Sequence, residues 1–206
     1  MNASRPTTVV AVDVLLQTER LVLRRFTEAD VDNLVALDSD PGVMRFLTGV
    51  PTPREVIETK TLPEFLAGDD TGLGGWAAME RSSEEFVGWF QLRRPQWPLE
   101  ASGPDDAELG YRLRTSCWGK GYGTEGAAAL IDRAFTELGV ARVVATTMAV
   151  NIASRRVLEK AGLRLVRTFH VSFPDPLPGT EHGEVEYALT RDEWTGPAAS
   201  GDATSP

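Results

Sequence analysis

The segment SCWGKGYGTEG, residues 116–126, is the strongest indication of the fold of this 206-residue chain. Its glycines have the spacing Gly121-x-Gly123-x-x-Gly126, between a strand-like segment and a helix-like one. Glycine lets backbone N–H groups approach an anion closely, and the first N–H groups of a helix lack intrahelical partners. The pattern predicts an anion-binding turn, and the competing interpretation is a turn that only starts a helix.

The same GxGxxG spacing occurs in dinucleotide-binding loops, which make a further demand. They need an acidic residue at the end of the next strand, about 20 residues on, to hold a ribose hydroxyl. Here the next strand-like segment ends at Val150-Asn151 without a carboxylate. The GxxxxGK[ST] pattern of a P-loop is also absent. A nucleotide-dependent oxidoreductase therefore stays an alternative, and another phosphate-containing ligand is favoured.

Composition indicates an ordinary globular protein. Apolar residues make up 42 % and charged residues 25 %, and the net charge of −9 argues against non-specific binding to nucleic acid or anionic membranes. No apolar run reaches transmembrane length. The single cysteine, Cys117, excludes an internal disulfide and a Cys-rich metal site. With no signal peptide recognised at the N-terminus, these features predict a cytoplasmic protein.

Hydrophobic periodicity predicts strands and helices in alternation, and therefore a mixed sheet with helices on both faces. Strands are predicted at 21–26, 76–80, 86–92, 108–114, 143–150, 163–173 and 184–190. Helices are predicted after Thr27, at about 52–67, directly after the glycines with an apolar face from Ala127 to Leu138, and over 151–162. Glu125 is predicted in the first turn of the main helix, where a negative charge is favourable to the helix dipole. Residues 1–16 are predicted to be an N-terminal tail, 17–194 one domain, and 195–206 a disordered C-terminal tail.

The run WGKGYGTE, Trp118–Glu125, resembles the pyrophosphate loop of the GNAT superfamily of N-acetyltransferases, in the RimJ/RimL-like branch of ribosomal-protein N-terminal acetyltransferases. The segment before the loop, AELGYRLR, also matches that branch. Four other segments match the branch in order: TERLVLRRFTEAD (18–30), DPGVMRFLTG (40–49), NIASRRVLEKAGL (151–163) and EVEYALTRDEW (184–194). Trp118 departs from the Arg or Gln of the wider superfamily, and Leu163 from the Phe of the branch.

The resemblance implies the GNAT fold, an α/β (in some schemes α+β) domain. Its central sheet is mixed and mostly antiparallel, with six to seven strands and helices on both faces. It also implies acetyl-CoA as cosubstrate and no metal. The pyrophosphate would lie on backbone N–H groups of Gly119–Thr124, and the pantetheine arm would pair with the strand 108–114. The implied cofactor residues are Leu109, Tyr111, Leu113, Trp118, Gly119, Lys120, Gly121, Tyr122, Gly123, Thr124, Asn151, Ser154 and Arg156.

The implied activity is an N-acetyltransferase, an acyltransferase that moves an acetyl group directly to a primary amine in a ternary complex. The resemblance makes Glu108 the base, a backbone N–H near Tyr111 the oxyanion donor, and Ser154 the acid. Leu158 occupies the place of the tyrosine that many GNAT enzymes use as acid. Because that tyrosine is missing, a non-catalytic acyl-CoA sensor on the same fold is the alternative function.

Each assignment has a plainer interpretation. Glu108 is also an ordinary strand residue, with Asp105 and Asp106 as competing acids. Ser154 is also a polar residue of a first helical turn, and Asn151 a helix cap. Lys120 is also a solvated lysine.

A ping-pong mechanism through Cys117 would need a nearby histidine, and His170 and His182 are both far away in sequence. The acceptor groove is predicted between residues 44–46, the loop holding Trp97, and the loop 174–184. The amine acceptor is left open between a small molecule and a peptide N-terminus, and a homodimer is kept as a candidate assembly.

Overall fold

The computed structural model describes residues 13–68, 71–96 and 103–196. Within these ranges, eight strands form one sheet of order β1-β2-β3-β4-β5-β6-β8-β7. They are β1 Val14–Gln17, β2 Leu21–Arg24, β3 Gly74–Glu80, β4 Phe86–Arg93, β5 Asp106–Leu113, β6 Arg142–Met148, β7 Arg164–Phe169 and β8 Glu184–Thr190. Neighbouring strands are antiparallel except β5 and β6, which are parallel. The predicted mixed, mostly antiparallel sheet is confirmed.

The sheet has eight strands, so the predicted number of six to seven was too low. The additional strand is β1, which the sequence assigned almost entirely to a tail. It pairs with β2 from Val14 opposite Arg24 to Gln17 opposite Val22. Leu15 and Leu16 pack against the core, and this packing explains why such a short edge strand forms. The predicted boundary between residues 16 and 17 therefore falls inside β1.

The α-helices are α1 Val31–Asp38, α2 Pro41–Met44, α3 Arg54–Val56, α4 Leu62–Ala67, α5 Tyr122–Thr136 and α6 Ile152–Lys160. A π-helical turn, Ile57–Thr61, joins α3 to α4, so the predicted helical region 52–67 is nearly continuous. Pro63, in the first turn of α4, has no backbone N–H to donate. The wider π-helical turn before it accommodates this missing hydrogen bond.

Two hydrophobic clusters lie on the two faces of the sheet. The cluster under α5 and α6 contains the apolar face of α5, which the 3.6-residue periodicity predicted: Ala127, Leu130, Ile131, Ala134 and Phe135. The cluster under α1, α2 and α4 includes Leu34, Leu37, Met44, Leu62 and Trp89. Helices therefore cover both faces, as predicted.

The third glycine of the motif serves packing. A Cβ on Gly126 would lie 2.3 Å from the Cζ of Phe90, so only glycine lets α5 lie this close to β4. The segment after β8 is held against α5 as well, because the Trp194 indole donates to the Asp132 carboxylate at 3.0 Å. Residues 197–206, most of the predicted C-terminal tail, lie outside the described ranges.

Some element ends differ from the predictions. β7 ends at Phe169 rather than residue 173, and α5 ends at Thr136 rather than 138. Alternating polarity continued past Phe169, but the segment leaves the sheet there and pairing with β8 starts only at Glu184.

Candidate active site

The site begins where β5 and β6 separate. Their parallel pairing extends over three residue pairs, Asp106–Glu108 with Arg142–Val144. Just before it, the Ala141 N–H donates to the Asp105 carbonyl at 2.9 Å. Beyond these pairs the rest of β5 has no register with β6 in the described chain, so a gap opens between two central strands.

Beyond the residues paired with β6, the backbone of β5 faces this gap. The Arg114 N–H donates to the Val87 carbonyl at 3.0 Å on the β4 side. Because the direction of backbone polar groups alternates along a strand, Leu109, Tyr111 and Leu113 direct theirs toward β6. These are the three strand residues that the resemblance implied for the pantetheine arm. The Leu113 carbonyl accepts from the Trp118 indole, so Leu113 has only its N–H left for an added strand, whereas Tyr111 lies on the edge that is not paired with β6.

The gap widens into a cleft of about 560 Å³. Its walls are β5, the glycine loop, the start of α6, and α2 with the residues after it. The lining residues predicted from the sequence are Tyr111, Leu113, Trp118, Gly119, Gly121, Gly123, Thr124, Asn151, Ser154 and Arg156. Three predicted residues are absent from this lining: Leu109 is buried in the core, Lys120 is exposed outside, and Tyr122 points elsewhere.

The glycine loop is the turn Trp118–Gly121 that leads into α5. Gly119 and Gly121 have φ of +72° and +89°, conformations that glycine adopts without strain. The Trp118 indole donates to the Leu113 carbonyl at 2.8 Å and so fixes the loop to the end of β5. A Cβ on Gly123 would lie 3.2 Å from Val157 of α6, which keeps the two helices close. The loop thus presents bare backbone at a helix start.

The start of α6 lies against β5. Asn151 caps the helix, as predicted: its Oδ1 accepts from the Ser154 N–H at 3.3 Å, while its Nδ2 donates to Thr147 at 3.1 Å. The Ser154 Oγ lies 2.9 Å from the Tyr111 hydroxyl, which also donates to the Ser154 carbonyl at 3.1 Å. Burial raises the pKa of Tyr111 to about 12, despite an opposing effect of the Ser154 hydrogen bond. Tyr111 therefore stays protonated near neutral pH.

Glu108 lies at the closed end of the gap and does not line the cleft. Its side chain is on the α1 face of the sheet and is 4 % exposed. Arg93 of β4 donates to its Oε2 at 3.0 Å. Of the competing acids, Asp106 is buried and paired with Arg142 at 2.6 Å. Of the three acids, Glu108 lies nearest to the free edge of β5.

Several cleft residues were not predicted. Lys160 lies one helical turn after Arg156 on α6, and this i, i+4 spacing was the available signal. Arg112 lines the cleft, forms an ion pair with the buried Asp38 of α1, and stacks over Trp89 at 5.3 Å. No local sequence pattern links Arg112 to Asp38, because the pair depends on how α1 docks on the sheet.

The predicted frame of the acceptor groove is partly visible. A Cβ on Gly49 would lie 2.6 Å from Leu177 Cδ2, and one on Gly179 the same distance from Val150 Cγ2. The segment after α2 and the segment 170–183 therefore touch each other beside the cleft. Trp97, the third predicted contributor, lies outside the described residues.

The remaining candidates lie as follows. Cys117 lines the cleft, 3.9 Å from the Ser116 hydroxyl. His170 is exposed, and His182 is an exposed residue beside a second, smaller cavity with Arg155. Among residues 13–68, 71–96 and 103–196, no group of three or more His, Cys, Asp or Glu side chains is placed to hold a metal ion. In the same ranges no helix is long and apolar enough to cross a membrane.

Comparison with known proteins identifies one matching family and three similar proteins. Residues 20–164 match the family model of an acetyltransferase (GNAT) domain. The FsC-acetyl coenzyme A-N(2)-transacetylase of Aspergillus fumigatus is 38 % identical over 183 residues, 87 % of this chain and 77 % of that protein. A GNAT-family acetyltransferase from Bacillus anthracis has a TM-score of 0.69 at 22 % identity, over 88 % of this chain and 98 % of its own.

The third relative is the spermidine N-acetyltransferase of Vibrio cholerae, solved with CoA and spermine. It has a TM-score of 0.69 at 15 % identity and covers 85 % of this chain and 98 % of its own. At such identities the two structural likenesses show the fold alone.

Proposed function

The chain belongs to the GNAT family of acetyltransferases and is an acetyl-CoA-dependent N-acetyltransferase; we propose that its acceptor is a small-molecule primary amine. The acceptor class is supported by the relatives, and the cosubstrate is supported by the edge of β5 that is not paired with β6, which leads directly to a bare glycine loop. The edge and the loop together fit a ligand with an amide-containing arm and a pyrophosphate.

The residues present fit acetyl-CoA as cosubstrate. Leu109, Tyr111 and Leu113 offer backbone groups for the amides of the pantetheine arm. Gly119–Thr124 offers unpaired N–H groups and a helix start for the pyrophosphate. Arg156 and Lys160 add positive charge at the rim of the cleft. When bound there, acetyl-CoA supplies an activated acetyl group as a thioester.

Glu108 is proposed as the base. The acceptor nitrogen must lose a proton as it forms a bond to the acetyl carbon, and Glu108 takes that proton through water, because its side chain lies outside the cleft lining. Its buried side chain is paired with Arg93 at 3.0 Å. The Tyr111 N–H is proposed to stabilise the oxyanion, since it faces the gap just beyond Glu108.

Ser154 is proposed as the acid. As the carbon–sulfur bond breaks, the Ser154 hydroxyl gives its proton to the departing sulfur and regains one from water. The Tyr111 hydroxyl, 2.9 Å away, orients the serine hydroxyl. Leu158 lies on the buried face of α6, so Ser154 supplies the hydroxyl that this helix directs into the cleft.

The small-molecule class of the acceptor is supported by the relatives. The A. fumigatus protein is named for acetylation at an N(2) position, and the V. cholerae protein for spermidine. The RimJ/RimL-like branch, supported by WGKGYGTE and NIASRRVLEKAGL, is proposed as the place of this chain within the family. A cytoplasmic location is proposed on the composition and the single cysteine.

The test is an acetylation assay with acetyl-CoA against matched panels of small primary amines and of peptides with free N-termini. We expect turnover with small amines at much higher kcat/KM than with any peptide. Preference for peptides would overturn the acceptor class. Acetyl-CoA binding without turnover on either panel would favour the non-catalytic sensor.

A further inference from the structure

One side chain crosses the outer side of the glycine loop. Arg20, in the turn between β1 and β2, donates through Nη1 to the Lys120 carbonyl at 2.8 Å. Its Nε donates to Glu125 at 2.7 Å, and its guanidinium lies 4.9 Å from the centre of the Tyr122 ring. A single residue, far away in sequence, therefore contacts the loop and the first turn of α5 together.

Glu125 fixes the position of Arg20. Its Oε1 accepts from the Thr18 hydroxyl at 2.5 Å and from the Arg20 N–H at 2.8 Å, while Oε2 pairs with the guanidinium at 2.6 Å. Burial alone would raise the pKa of Glu125, but the hydrogen bonds from Thr18 and Arg20 outweigh it and lower the pKa. The carboxylate is thus ionised and held at both oxygens by the β1–β2 turn.

The contact to Lys120 determines the direction of a neighbouring donor. In a trans peptide the C=O and the N–H of the next residue point in opposite directions. Because Arg20 holds the Lys120 carbonyl on the outer side of the loop, the Gly121 N–H points to the other side. Gly121 lines the cleft.

Arg20 also compensates a charge. An ionised carboxylate in the first turn of α5 opposes the binding of another anion at the same helix start. The guanidinium lies between the carboxylate and the loop and offsets that repulsion.

From these contacts we propose that Arg20 is a positioning residue for cosubstrate binding, which it supports by holding the Lys120 carbonyl outward and turning the Gly121 N–H into the cleft. The inference rests on the proposed binding of the pyrophosphate at the glycine loop. Arg20 acts through the loop and through Glu125 rather than by touching the reacting atoms.

The experiment compares two acetyl donors, acetyl-CoA and S-acetylpantetheine, which lacks the pyrophosphate. For Arg20→Ala we expect KM for acetyl-CoA to rise about tenfold with kcat nearly unchanged, the size expected when a charge-assisted hydrogen bond is lost. KM for S-acetylpantetheine should stay within about twofold of wild type. Arg20→Lys keeps the charge but loses the forked geometry, so an intermediate rise is expected.

Arg54→Ala is the matched control, because Arg54 also pairs with carboxylates and is similarly exposed, but lies on α3 away from the loop. It should leave both KM values unchanged. An equal rise for both donors in Arg20→Ala would overturn the inference, since it would show general loosening of the domain, and so would no rise for either. If wild type itself used both donors equally, the proposed pyrophosphate site would fail instead.

Discussion

Two walls of the cleft present different chemical groups to a ligand. The wall of β5 and the glycine loop presents backbone groups along an edge that is not paired with β6, beside the side chains of Tyr111, Arg112 and Trp118. The opposite wall, made of α2 and the segment after it, presents large side chains, and Leu47 is 47 % exposed there. A backbone wall suits a constant cosubstrate, whereas a side-chain wall can change its specificity by substitution.

The largest expected effect concerns the proposed chemistry between the walls. Glu108→Gln should lower kcat by about a hundredfold, the usual size of general-base catalysis. The loss should be greatest at low pH, where the acceptor amine carries its proton, and should shrink as pH rises toward the pKa of the amine. A pH–rate profile of both proteins measures this.

Glu186→Gln provides the matched control for Glu108. Glu186 is also fully buried and pairs with an arginine, Arg167, at 2.8 Å, but it lies on β8. We expect it to lower thermal stability with little change in kcat. If both variants lost the same activity, or if Glu108→Gln kept the wild-type pH profile, Glu108 would not be the base.

The second effect tests the backbone wall. Gly121→Val should raise KM for acetyl-CoA roughly tenfold to a hundredfold, because valine is strained at φ +89° and its Cβ would lie 3.1 Å from Arg20. Gly139→Val carries a similar strain at φ +69°, at the far end of α5. It should lower the melting temperature without changing KM. An unchanged KM in Gly121→Val would show that the loop does not bind the pyrophosphate.

The third effect tests the side-chain wall. Leu47→Ser should raise KM for the amine acceptor about fivefold and leave KM for acetyl-CoA unchanged, because about half of one leucine side chain is available to cover the acceptor. Leu66→Ser removes a leucine of similar exposure on α4, away from the cleft. It should change neither constant. A rise in KM for acetyl-CoA alone would mean that Leu47 belongs to the cosubstrate wall.

The difference between the walls also explains what the sequence could predict. The strand, glycine turn and helix of 108–136 follow one another along the chain, so local propensity and motif spacing located them correctly. The Asn151 cap was predictable for the same reason. The strand β1 was missed because four residues give too little periodicity, and its formation depends on pairing with β2.

Contacts between distant segments were beyond sequence analysis. Glu125 was interpreted only through its favourable place at the start of a helix, whereas its partners Thr18 and Arg20 lie more than 100 residues earlier. Likewise, Glu108 was predicted to lie on a strand, as it does, but its burial against Arg93 follows from the antiparallel register of β4 and β5. Periodicity along one segment contains no information about such pairs.

The smallest expected effect is a pH dependence of stability on the cosubstrate side. The pKa of Glu125 is lowered in the folded protein, so its ionised form stabilises the fold above the ordinary value of 4.5. That contribution is lost as pH falls from about 4.5 through the lowered pKa. Glu125→Gln should therefore have a lower melting temperature than wild type at neutral pH and a shallower decline below pH 4.5.

Asp132 offers the opposite sign on the same helix. Burial raises the pKa of Asp132, although the Trp194 hydrogen bond opposes the shift, so its ionised form costs stability as pH rises past its ordinary value of 3.8. Asp132→Asn should therefore raise the melting temperature at neutral pH, whereas Glu125→Gln should lower it. Melting curves between pH 3 and 7 distinguish the two variants. Equal slopes for Glu125→Gln and wild type would show that the carboxylate of Glu125 is no better stabilised in the folded chain than in the unfolded one, and that the contacts around Arg20 hold the loop without depending on its charge.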